Sequence, residues 1–123
     1  MIIRDQDAPR FVAGGTTATG YASPSRGTQG LSLWRIALVA GESSPPHTLS
    51  QEEVFLALDG SATATIDGRD EEVRPGDCLI VPPDTPFVIG AGADGFGAVC
   101  AMRSDGRATI MPDGPTMTPP WAE

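Results

Sequence analysis

GESSPPHTLSQEEVFLALDG, residues 41–60, decides how the rest of the chain is read. It holds His47, the only histidine among 123 residues, and six places later a carboxylate, Glu53, with Gly41 and Gly60 closing its ends. One histidine cannot build a metal cage, so metal or acid/base chemistry here needs carboxylates, amides or thiols beside His47. Local rules read the stretch in two ways. As a strand it sends His47, Leu49, Gln51, Glu53, Phe55 and Ala57 to one side and Val54, Leu56 and Leu58 to the other. As a helix, Ser50 is an N-cap, Glu53 completes a capping box, Leu49 and Val54 form a hydrophobic staple, and Gly60 sits at C′. Local signals leave the two readings even.

Spacing separates them. Gly41, five residues, His47, one residue, Leu49, three residues, Glu53, six residues and Gly60 resemble the first motif of the cupin superfamily, in which a second histidine stands where this chain has Leu49. Residues 76–90 resemble the second motif: Gly76, five residues, Pro82, one residue, Asp84 where glycine is usual, two residues, then Phe87 where the family has its last histidine. With the flanking strands the resemblance covers about residues 31–103. It implies an all-β, single-domain cupin, a double-stranded β-helix or jelly-roll barrel, with residues 47–58 as strand. The domain is expected to span residues 1–123, its barrel about 31–111, with the N-terminal segment and C-terminal tail packed on it.

In metal-binding cupins three histidines and the glutamate hold a divalent ion. Carried over by position, the resemblance gives His47 and Glu53 as metal ligands and leaves Leu49 and Phe87 without a lone pair, a degenerate metal site. Gln51 is a candidate third donor, and Cys78 or Cys100 would add sulfur if its side chain points inward. A divalent metal is therefore a candidate cofactor, and none is assigned. The resemblance also implies a homodimer.

Composition bounds the rest. Apolar residues make up 40% and charged residues 20%, as in a soluble globule. Fifteen glycines and twelve prolines interrupt the chain too often for long helices and suit a turn-rich β protein. The net charge of −8, with the basic residues scattered, would repel a nucleic-acid backbone or an anionic membrane, so neither is expected as a partner. No apolar run reaches transmembrane length and MIIRDQDAPR lacks a secretory leader pattern, so a cytoplasmic address is expected. Cys78 and Cys100, in apolar strand-like surroundings, read as reduced, buried small hydrophobes.

Along the chain, Met1–Ile3 is a candidate strand and residues 13–30 read as a turn-rich loop. LSLWRIALVA, residues 31–40, alternates as a strand. Asp59-Gly60 and Asp67-Gly68 read as turns and Pro75-Gly76 as a type II turn. Residues 78–81, 86–89, 95–102 and 107–110 supply further short strands, and Trp121 in the tail is expected to dock on the body.

The expected function is that of a small-molecule-binding cupin, its cavity lined by His47 and Glu53, with a small organic ligand as partner. As an acid/base pair the two suit isomerisation, epimerisation, dehydration or cyclisation. The carboxylate would orient the ring and favour its protonated form, while burial acts in the opposite direction. Leu49, Phe55, Phe87 and Trp34 would pack on an apolar or aromatic substrate, with Tyr21 and Arg26 as candidate contacts from the loop. Two other readings stand beside this one: a divalent-metal-dependent, dioxygenase-like cupin, and a noncatalytic ligand sensor in which His47 is simply satisfied. Nucleophilic hydrolysis lacks a GxSxG elbow, and GGTTATG lacks the lysine and spacing of a phosphate loop.

Overall fold

Alternation of side chains sorts most of the strands. The structure is a computed structural model that describes residues 1–123. Its strands are β1 (Arg10–Ala13), β2 (Thr16–Ala22), β3 (Leu31–Leu38), β4 (His47–Leu49), β5 (Glu53–Ile66), β6 (Arg69–Val73), β7 (Cys78–Val81), β8 (Phe87–Arg103), β9 (Ala108–Ile110) and β10 (Thr116–Met117). Short 3-10 turns lie at Asp5–Asp7, Pro24–Arg26 and Pro120–Ala122, and there is no α-helix. In β3 the side chains of Ser32, Trp34, Ile36 and Leu38 go inward, and in β7 those of Leu79 and Val81 do. Cys78 therefore faces outward and is exposed, against the expectation of a buried thiol, whereas Cys100 is fully buried.

β8 is the spine of a curled antiparallel sheet, the cupin or jelly-roll arrangement. Its second half pairs with β3, from Leu31↔Arg103 to Leu38↔Phe96, and on its other edge it pairs with β5 over nearly its whole length. At its start Phe87 pairs with His47 of β4. β5 also carries β6 and β7, while β1 and β2 extend the β3 edge and β9 and β10 the β4 edge. Aromatic and aliphatic side chains from β3, β4, β5, β7 and β8 fill the interior, Phe87 at 2% exposure among them. Burial of one such side chain contributes about 1.5–3 kcal/mol.

The structure corrects several local expectations. Residues 1–3 form no strand, and the presumed loop 13–30 contains β2, whose small residues fit between β1 and β3. Asp59-Gly60 does not turn the chain: β5 runs through it with bulges at Ala57/Asp59 and Gly60/Ala62. Gly60 has φ +67°, and a Cβ there would run into the carbonyl of Gly95, so the bend requires a glycine. Likewise 86–89 and 95–102 are one strand, β8. By contrast Asp67-Gly68 does close the β5–β6 hairpin, both residues with positive φ, as a type I′ turn needs. The Asp77 N–H bonds the Arg74 carbonyl across Pro75-Gly76, with Gly76 at φ +90°, as in a type II turn. The stretch from 47 to 58 is strand at both ends and bends between them, at residues 50–52.

Candidate active site

A cavity of about 420 Å³ lies within the curled sheet. β3 lines it with Trp34, Ile36 and Leu38, β4 with His47 and Leu49, β5 with Glu53 and Phe55, and β8 with Phe87, Ile89 and Met102. Ala108 and Ile110 of β9, Met117 and Pro119–Trp121 toward the C-terminus, the segment from Glu42 to Pro45, and Ala13 and Thr16 at the β1–β2 hairpin complete it. Most of the wall is apolar, and the polar side chains within it are few enough to consider singly.

His47 follows two prolines that hold the chain extended, and the Pro45 carbonyl comes 2.8 Å from Nδ1. A carbonyl can only accept, so Nδ1 carries the proton and Nε2 keeps the lone pair. Cross-strand pairing with Phe87 sets the two rings 4.2 Å apart between centroids, tilted by 46°. Phe55 meets Phe87 edge-on at 6.2 Å. Burial lowers the His47 pKa below its usual value, only partly offset by the Pro45 carbonyl, so the imidazole is neutral near pH 7.

Glu53 opens β5, paired with Val81 of β7 and Met102 of β8, and is 5% exposed. Burial pushes its pKa up to about 8, against a smaller opposing effect of the Cys100 thiol. Burial, and then the Glu53 charge, raise the Cys100 pKa well above the ordinary thiol range. At neutral pH the cavity therefore holds a neutral base and a protonated acid. No hydrogen bond joins them: the Pro45 carbonyl and Phe87 set the imidazole, in place of the expected carboxylate, and burial outweighs the Pro45 carbonyl in setting its charge.

Of the residues singled out in the sequence, His47, Glu53, Leu49, Phe55, Phe87 and Trp34 come together on this wall. Gln51 does not, because the bend at 50–52 breaks the alternation that put it on their face. Tyr21 instead donates to Asp5 at 2.7 Å, beside a polar hollow with Arg10 and Arg35, and Arg26 donates to the Trp121 carbonyl at 2.7 Å. Sequence reasoning overlooked Ile36 and Leu38, which share the face of Trp34 and were legible by alternation. Glu42 was also missed. Its carboxylate accepts the N–H groups of Gly15 and Ser43, a long-range contact with no local signal.

The cupin resemblance implies a divalent ion, and the donors present decide whether one fits. No group of three or more His, Cys, Asp and Glu side chains is placed to hold a metal. Leu49 and Phe87 fill two ligand positions with buried apolar bulk, and Cys78 points away. His47 and Glu53 alone do not fit the four-ligand site of metal-binding cupins.

The family model described as the cupin domain matches residues 34–95. The chain is 38% identical over 56 residues to the dimethylsulfoniopropionate lyase DddW of Ruegeria pomeroyi, a match that takes in 46% of this chain but only 37% of that protein. Among solved structures it resembles the polyketide cyclase RemF from Streptomyces resistomycificus, with a TM-score of 0.75 at 19% identity, covering 96% of this chain and 84% of that one. It also resembles the salicylate 1,2-dioxygenase of Pseudoaminobacter salicylatoxidans in its gentisate adduct, with a TM-score of 0.72 at 23% identity, covering 87% and 32% of the two chains. At these identities the two structures speak to the fold.

Proposed function

The chain belongs to the cupin domain family, and we propose that its cavity binds a small organic molecule and moves a proton on it between Glu53 and His47. One observation carries this reading: an imidazole with a free Nε2 and a buried carboxyl line the same apolar cavity of about 420 Å³. The protonated Glu53 donates to a carbonyl oxygen of the ligand while Nε2 of His47 takes a proton from the neighbouring carbon. The products of that step are an enol, a carboxylate and an imidazolium, the last two attracting each other. Return of the protons to another face or atom, or attack of the enol carbon on a second carbonyl, completes an isomerisation, epimerisation or cyclisation. Leu49, Phe55, Phe87 and Trp34 exclude water and hold the carbon skeleton. The cyclase among the structural neighbours is compatible with this chemistry, and the lyase and dioxygenase mark the range the fold supports.

The test uses tag-free protein of measured metal content and a panel of small ketones. His47→Ala and Glu53→Gln are expected to lower turnover by about 10²–10⁴ each, the usual share of a positioned acid or base. Unchanged turnover in both, or activity that follows a stoichiometric metal, refutes the pair. A noncatalytic sensor is the second reading, favoured by the satisfied Nδ1 of His47. It predicts ligand binding without turnover in the wild type.

Residues 1–123 are taken as one cupin domain, and two free thiols favour a cytoplasmic address. No helix is long and apolar enough to cross a membrane. A homodimer is part of the same proposal. Leu56, Leu58 and Ile80 are exposed on the outward face of β5 and β7, where Val54 pairs with Ile80 and Leu56 with Cys78. Leu56→Glu should shift sedimentation from dimer to monomer, and a monomeric wild type rejects this part.

A further inference from the structure

From the charges around the cavity we infer that its ligand is uncharged: a ring-bearing ketone or phenol, and not a carboxylate or phosphate ester. This deepens the proton-transfer reading and rests on it for the orientation of the ligand. All the cationic side chains of this chain are arginines, and none of them lines the cavity. Arg26 is held by the Trp121 carbonyl, Arg35 by Asp59 on the outer face, Arg103 by Asp105, and Arg107 by the Thr116 carbonyl. The charged or chargeable groups that do line it are His47, whose Nδ1–H is already taken by Pro45, and the acids Glu42 and Glu53.

Glu42 already accepts the Gly15 and Ser43 N–H groups, so these donors are not free for an anion. An anionic ligand would lose its hydration among Ile36, Leu49, Phe55 and Phe87 without gaining a counter-charge, and in a chain of net charge −8 it would be repelled on approach. A neutral carbonyl or phenol meets no such penalty. Its rings lie against Trp34, Phe55 and Phe87, and its oxygen finds Glu53 or Nε2 of His47. The volume suits a molecule of two or three fused rings.

The experiment is calorimetric titration of the full chain at neutral pH with a matched pair, a hydroxynaphthyl methyl ketone and the corresponding hydroxynaphthoate. The ketone should bind at least about tenfold more tightly, since burying an unpaired carboxylate costs far more than burying a ketone. Ser43→Arg places a cation on the exposed residue at the cavity wall, and should shift the ratio of the two affinities several-fold toward the naphthoate. Naphthoate binding as tight as the ketone, or no ketone binding up to its solubility limit, overturns the inference. The proton-transfer reading fails separately, through undiminished turnover in both His47→Ala and Glu53→Gln, so the two cannot be confused.

Discussion

Two stretches bring the chain to the cavity, residues 41–60 and residues 76–87, and they contribute in opposite ways. The first delivers the reactive pair, His47 and Glu53, from consecutive strands that each pair with β8. The second ends in Phe87, which offers no donor and lies 4.2 Å from the imidazole, after a turn in which Asp84 takes a left-handed φ of +57° where the family uses glycine. One stretch thus supplies the ionisable groups, and the apolar bulk of the other helps keep them uncharged. An acid and a base can face one apolar space without forming an ion pair because neither has enough solvation to ionise.

The comparison can be broken most forcefully at Phe87. Phe87→Ala removes a ring that packs on both His47 and Phe55, and should lower unfolding free energy by about 3–5 kcal/mol, read from urea denaturation. The same variant admits water, so the His47 pKa followed by proton NMR should rise toward its ordinary value. A His47 that titrates as before would show that Phe87 does not set its state.

The next effect is a pH dependence. Glu53 keeps its proton up to about pH 8 in the folded protein, but titrates near 4.5 when unfolded. Below that range both states are protonated and the acid contributes full stability. As pH rises from about 4.5 to 8 the unfolded chain releases the proton first, so stability falls, by an amount on the order of a few kcal/mol. Glu53→Gln mimics the neutral acid and should remove this slope, giving a variant more stable than wild type at pH 8 and similar to it near pH 4.5. His47 acts with the opposite sign: its lowered pKa makes folding less favourable as pH drops below its usual 6.5. A Glu53→Gln variant with the wild-type pH profile would contradict a buried neutral acid.

The smallest effect lies outside both stretches. Tyr21 donates to Asp5 on the outer surface, and this contact lowers the Asp5 pKa and raises that of the phenol. Tyr21→Phe should leave both ligand binding and the melting temperature unchanged within error. A measurable loss of binding would bring the outer hollow into the functional account.

What the sequence made legible follows from the range of the forces involved. His47, Glu53, Leu49 and Phe87 were legible because their spacing is tied to a known fold, and Trp34 because strict alternation marks its strand. Gln51 was assigned to the same face on the assumption of an unbroken strand. The chain bends at 50–52, where Ser50 bonds Arg107 and Leu49 accepts the Asp84 N–H, contacts made by distant residues. Asp67-Gly68 and Asp59-Gly60 carry the same local signal, yet the first closes a hairpin and the second sits in a bulge opposite Gly95. For Asp59-Gly60 the partners Gly97 and Phe96, more than thirty residues away, made that choice. The Gly15 contact of Glu42 escaped for the same reason, whereas β2, which pairs with β3 on one edge, turns back on β1 through Gly14-Gly15, a local hairpin signal that was read as loop.

Cys78 stands on the outer wall while Cys100 is sealed behind Glu53, where β8 lies between β3 and β5. The chain thereby carries its own clock. A thiol reagent will mark Cys78 first, at a rate that any subunit lying on that outer face would slow, and the later second modification will time how often the strands on either side of Cys100 part to let a visitor through.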